Sequence, residues 1–119
     1  MSLNNRLHTC KNPYQGKTAK VLCVCSAGLL RSPTAALVLS QEPFNLNTRA
    51  AGLREYALIQ VDPVLLHWAD EIVCMEMWMV EELAKMTDKV ITCLDILDNY
   101  EYRQPELMEL IKQRYLDSD

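Results

Sequence analysis

Cys25 and Arg31, an arginine six positions after a cysteine, form the pair of residues in this chain with the clearest chemistry. The residues between them, Ser26, Ala27, Gly28, Leu29 and Leu30, are small or aliphatic, and Ser32 and Pro33 follow. A thiol at the mouth of such a loop sits in the positive potential of the helix end and of the guanidinium. Both favour the thiolate, which is the nucleophilic form. The loop closes on a helix whose first N–H groups have no internal partner, so backbone amides can converge on an anion there. Arg31 adds a planar fork that grips two phosphoryl oxygens at once. Ser32 is placed either to cap the helix or to donate a hydrogen bond to the Cys25 sulfur. These residue types at this spacing suit an anion cradle with a nucleophilic sulfur at its mouth.

Such a loop needs a strand before it and a helix after it. Val21-Leu22-Cys23-Val24 is a short, unbroken apolar run, and Ser32 to about Gln41 is rich in alanine and leucine, which predicts both. Pro43 ends that helix, and Asn45 to Ala50 reads as a second strand closed by Ala51-Gly52. Asp62 caps a helix with Pro63 at its first position, running to about Asp70. Glu71 to Glu76 reads as a third strand and Met77 to about Met86 as a third helix. Asp88 and Lys89 lead into a fourth strand through Leu94, and Pro105 opens a last helix with Leu107, Leu110, Ile111 and Tyr115 on one apolar face. Strands alternating with helices imply a four-stranded parallel sheet with right-handed crossovers and helices on both faces, a single-domain three-layer α/β sandwich. Ligands bind such sheets beyond the carboxyl ends of the strands. Gly28 and Gly52 follow strands at that edge, and the loop from Leu94 to Tyr102 reaches it as well.

The run Cys-(five residues)-Arg-Ser-Pro, directly after a valine-rich strand near the start of the chain, resembles the phosphate loop of low-molecular-weight protein tyrosine phosphatases. The similarity extends over most of Lys20 to Tyr115. It implies that Cys25 attacks phosphorus to form a phosphocysteine, that the loop amides and Arg31 hold the phosphoryl oxygens, and that Ser32 steadies the thiolate. The implied substrate is a phosphate monoester, phosphotyrosine in a protein foremost, with inorganic phosphate as product. Two positions depart from the family pattern. Gly28 stands where an asparagine braces the loop, and glycine supplies the left-handed backbone without the brace. Leu30 stands where a second cysteine commonly traps the nucleophile as a disulfide.

In the family an aspartate of an Asp-Pro-Tyr run ahead of the last helix protonates the leaving oxygen. Asp98-Asn99-Tyr100 is similar, with asparagine in place of proline, so Asp98 is the expected acid and Asp95 the alternative. Tyr100 and Tyr102 are candidates for the wall of an aromatic-sized slot, with Tyr56 on the opposite rim. The chain is short for the family, mostly between the fourth strand and the acid loop. A rival resemblance exists: Cys-Ser-Ala-Gly is also similar to the phosphocysteine loop of cellobiose-type sugar-transport IIB components, phosphocarriers that do not hydrolyse the intermediate and lack an arginine at the position of Arg31. A phosphate-binding pseudoenzyme is the third reading.

Composition bounds these readings. The 119 residues, 50% of them apolar, allow one domain with a real core. Residues 1–19 are polar and aperiodic and read as a leader, leaving 20–119 as the domain. A net charge of -4 argues against nonspecific binding to nucleic acid. No apolar run approaches membrane-spanning length and Met1 to Lys20 has no signal-like segment, so a cytoplasmic protein without membrane or nucleic-acid partners is expected. Five cysteines are an odd number and most lie in apolar runs, which reads as reduced thiols. No Cys/His cluster has zinc spacing, and neither metal nor cofactor is expected. His67, Met75, Met77, Trp78 and Met79 read as core, and Glu81-Glu82 as a solvated helix face.

Overall fold

Each short apolar segment of the chain becomes a strand, and each periodic segment between them a helix. The computed structural model describes residues 19–28 and 30–118. Its elements are β1 (Lys20–Cys25), α1 (Arg31–Ser40), β2 (Asn47–Gly52), α2 (Pro63–Trp68), β3 (Glu71–Cys74), α3 (Met77–Ala84), β4 (Val90–Cys93) and α4 (Pro105–Asp117). The polar leader, with His8 and Cys10, lies outside the described residues, as does Leu29 of the loop.

All strands run parallel in the order β2-β1-β3-β4. Val21 to Cys25 are therefore central and none is more than 2% exposed. A strand covered on both faces needs such an unbroken apolar run. The chain steps outward from β1 to β2, then returns across β1 to β3 and continues to β4. With right-handed crossovers, this reversal sends α1 to one face and α2 and α3 to the other; α4 packs against α1. The direction changes between β1 and β3, and the crevice beyond their carboxyl ends is where such sheets receive ligands.

Side chains fix the ends of the elements. The Asp62 carboxylate accepts the Leu65 N–H at 2.8 Å, with Pro63 opening α2 as its sequence requires. The Lys89 ammonium closes α2, donating to the carbonyls of Leu66 at 2.7 Å, His67 at 2.6 Å and also Ala69. β2 starts later and runs further than its sequence suggests, because Asn45 takes a left-handed turn (φ 50°) and pairing with β1 continues until Gly52 lies opposite Cys25. On the other edge of the sheet the buried Glu71 carboxylate accepts from Thr92 at 2.6 Å and Tyr115 at 2.8 Å, joining β3, β4 and α4. The Tyr115 ring meets Phe44 edge-on at 5.4 Å.

Two expectations for the core are corrected. His67 is exposed, because α2 is short and only Leu66 of its helical residues is buried. Met75 and Met79 are fully buried, but Met77 is 62% exposed at the start of α3, where the chain has just left the sheet. Glu81 and Glu82 face solvent. Among the described residues no helix is long and apolar enough to cross a membrane.

Candidate active site

β1 delivers Cys25 to the carboxyl edge of the sheet with only 2% of its surface exposed. The chain then turns sharply at Gly28, whose φ of 72° lies in the left-handed region that favours glycine. That turn points the Gly28 N–H at the Cys25 sulfur, 3.1 Å away. From the other side the Ser32 hydroxyl lies 3.1 Å from the same sulfur. It also lies 3.2 Å from the Ala51 carbonyl, to which it can donate. One hydroxyl hydrogen thus has two acceptors. α1 begins at Arg31 with Leu30 as its cap residue and no side-chain cap bond, so Ser32 serves the sulfur and not the helix end.

The brace that Gly28 lacks comes from the neighbouring strand. The N–H of Leu53 donates to the Cys25 carbonyl at 3.0 Å, and that of Arg54 to the Ser26 carbonyl at 2.9 Å. These bonds tie the first two carbonyls of the loop to the chain just beyond β2. Gly52 makes this possible: a Cβ there would lie 2.6 Å from the Ala27 carbonyl carbon and 2.7 Å from the Ser26 oxygen. At Gly28 a Cβ would meet the Ala51 carbon and Gly52 nitrogen at 3.0 Å. Gly28 thus faces the backbone of Ala51 and Gly52, and Gly52 that of Ser26 and Ala27, where loop and strand touch.

Arg31 is 1% exposed, and its charge is answered from two further strand ends. One terminal nitrogen donates to Glu76 Oε2 at 2.8 Å and to the Ile96 carbonyl at 2.8 Å. Glu76 follows β3 and Ile96 follows β4, so the guanidinium is fixed by the loops on the far side of the crevice. A buried charge held by such bonds has one orientation. Its Nε lies 3.5 Å from Asp98 Oδ1 across the mouth. Glu76 escaped the sequence reading. Its only signal was a carboxylate immediately after a strand at the ligand edge.

Cys25, Ser26, Ala27, Leu30, Arg31 and Asp98 line a hollow of about 280 Å³. The structure thus brings together the described loop residues and Asp98. Asp95 is left-handed (φ 55°) and lines a separate hollow with Tyr100, Asn99 and Arg114, and Arg114 donates to its carbonyl at 3.0 Å. Neither Tyr100 nor Tyr102 lines the Cys25 hollow; Tyr102 is 50% exposed, with the Arg103 guanidinium 5.8 Å from its ring. Tyr56 is exposed on the loop after β2.

The other described cysteines are free thiols without these donors. Burial, reinforced by the Glu71 carboxylate and the Cys25 sulfur, pushes the Cys23 thiol far above its ordinary range. Burial and the adjacent Cys93 push Cys74 up to about 12. Of the described cysteines, Cys25 is the one whose sulfur meets the Gly28 amide and the Ser32 hydroxyl, which makes it the candidate nucleophile.

No family model matches the sequence, and no curated protein matches it. Solved structures do match. The tyrosine phosphatase Wzb from Escherichia coli K30, in complex with phosphate, aligns with a TM-score of 0.63 and 16% identity over 80% of this chain and 91% of its own. Vibrio vulnificus Wzb, in complex with benzylphosphonate, gives 0.64 and 20% over 81% and 93%. The YwlE arginine phosphatase from Geobacillus stearothermophilus gives 0.61 and 21% over 83% and 91%. The chain has the fold of these phosphatases, the low-molecular-weight tyrosine phosphatase architecture that its first loop resembles.

Proposed function

We propose that this protein is a phosphate monoester hydrolase that works through a phosphocysteine intermediate. The observation that carries the reading is the convergence of the Gly28 amide and the Ser32 hydroxyl on the Cys25 sulfur, in a hollow shared with Arg31 and Asp98. In the first step the Cys25 thiolate attacks phosphorus as the bond to the ester oxygen breaks, and Asp98 gives its proton to that oxygen. In the second, water attacks the phosphocysteine, Asp98 takes a proton from the water, and inorganic phosphate leaves with Cys25 restored as thiolate. The charge held by Arg31 and the loop amides serves both transition states.

Asp98 faces Arg31 across the mouth. A phosphoryl group arriving there competes with Asp98 for the guanidinium and sets two negative groups side by side. Phosphotyrosine in a polypeptide is the substrate class that this reading favours, from the resemblance of the loop and the tyrosine phosphatases that share the fold.

The deciding experiment is turnover of phenyl phosphate, followed by acid-quench trapping of the phosphoenzyme. Cys25→Ser should abolish turnover while vanadate still binds, because the amide cradle remains. Full activity in that variant would refute the mechanism. A single equivalent of phosphoenzyme that never turns over would make the protein a carrier.

A further inference from the structure

The catalytic scheme makes no use of Arg54, a cation at the carboxyl edge of the sheet. Arg54 stands two residues beyond β2, and its backbone N–H is the one that holds the Ser26 carbonyl. Its guanidinium carbon lies 4.6 Å from the centre of the Trp78 ring. Trp78 is the second residue of α3, two positions after the Glu76 that anchors Arg31. The Arg54–Trp78 stack therefore spans from the phosphate loop's flank to the helix after β3, at the carboxyl edge where the crevice opens.

Stacking engages the face of a guanidinium and leaves its N–H edge free to donate in the plane. Arg54 is exposed, and the ion pairs of the described residues do not include it. Its chain neighbour Glu55 thus stays beyond salt-bridge distance. A contact with the indole reduces the side chain's freedom before an anion docks, which lowers the entropy lost on docking. In a protein of net charge -4, a fixed and unneutralised arginine on the rim is a feature that solvation of the surface does not require. The same loop exposes Tyr56, Leu58 and Ile59, an apolar surface on which the backbone beside a phosphorylated residue can lie.

We propose that Arg54, held by Trp78, is a subsite for a second anionic group of the substrate: a carboxylate side chain flanking the phosphorylated residue of a polypeptide. The subsite rests on the phosphatase reading and deepens it. Arg49 supplies an internal comparison, since it stacks on Trp68 at 4.4 Å but projects from the middle of β2, where its partner in the sheet is Leu22.

The test uses phosphotyrosine peptides in which one glutamate is walked through three positions on either side, each paired with its glutamine counterpart. A further peptide carries a second phosphorylated residue, and phenyl phosphate reports the chemistry alone. At one or two positions the glutamate peptide should have a kcat/KM roughly three- to tenfold above its glutamine twin, and the ratio should shrink as salt is raised. Arg54→Gln should bring that ratio to one, Arg54→Glu should invert it, and Arg49→Gln should leave it standing. Ratios within one variant cancel any effect on folding. A wild-type ratio of one at every position, or a ratio that survives Arg54→Gln, overturns the subsite. Preference for the second phosphate alone refutes the carboxylate assignment. Failure to turn over phenyl phosphate and every peptide alike overturns the phosphatase reading and the subsite with it.

Discussion

Replacing Gly52 by alanine is the smallest change that should disable the phosphate loop without touching a residue that meets phosphate. The added carbon would lie 2.6 Å from the Ala27 carbonyl carbon, against the 3.4 Å at which ordinary contact begins, so loop and strand must part by about 0.8 Å. Two of the atoms it meets belong to the backbone of Ser26 and Ala27, which no rotamer change can move. Overpacking of this kind costs about 1–3 kcal/mol, which for a domain of this size lowers Tm by roughly 5–15 °C. The effect on activity should be larger than the loss of folded protein. A misplacement near 1 Å in a site that works by alignment costs on the order of 10²-fold, so kcat/KM per folded molecule should fall about 10- to 100-fold. Thermal unfolding by circular dichroism and phenyl phosphate kinetics at a temperature where the variant is fully folded separate the two. An alanine variant with wild-type Tm and kcat/KM would refute the close approach, and a lowered Tm with intact kcat/KM would refute the claim that β2 braces the loop.

Asp98→Asn should slow phenyl phosphate by roughly 10²–10⁴-fold and p-nitrophenyl phosphate much less, because an acidic phenol needs little help in leaving. Asp95→Asn should affect both alike, and the reverse pattern would transfer the acid to Asp95. Lys89→Met removes the donor to three carbonyls at the end of α2, at the edge of the sheet away from Cys25. It should cost about 1.5–3 kcal/mol in urea denaturation with unchanged kinetics per folded molecule. Altered kinetics would mean that the two edges are coupled.

What could be read from the sequence was what is local in it. Cys25, Gly28, Arg31 and Ser32 lie within one strand-turn-helix unit, so spacing alone predicts their convergence. The Asp62-Pro63 start of α2 and the continuous apolar β1 were legible for the same reason. Glu76 was not, because it meets Arg31 across 45 residues and only the β1–β3 pairing brings them together. Gly52 was legible as a glycine following a strand at the ligand edge, but not its contact, since the approach of Ala27 belongs to the register of two strands and leaves no pattern in either. The tyrosines show the converse. Their position ahead of the last helix suggested a slot, but the loop turns at Asp95 and again at Arg103 (φ 59°), and Tyr100 lines the hollow it shares with Asp95 and Arg114.

The partners of Arg31 also set the order in which the site comes into being during synthesis. A nascent chain that has made only β1, α1 and β2 already owns the sulfur, the loop amides and the glycine contact. Its guanidinium still lacks Glu76 and Ile96, which lie 45 and 65 residues further on. Burying that charge unanswered would cost several kcal/mol, so Arg31 stays hydrated and unaligned until β3 and β4 have joined the sheet. Parallel pairing over such separations is slow compared with local helix formation. The alignment of the guanidinium is thus completed after the sulfur and the loop amides are in place, once Glu76 and Ile96 have arrived.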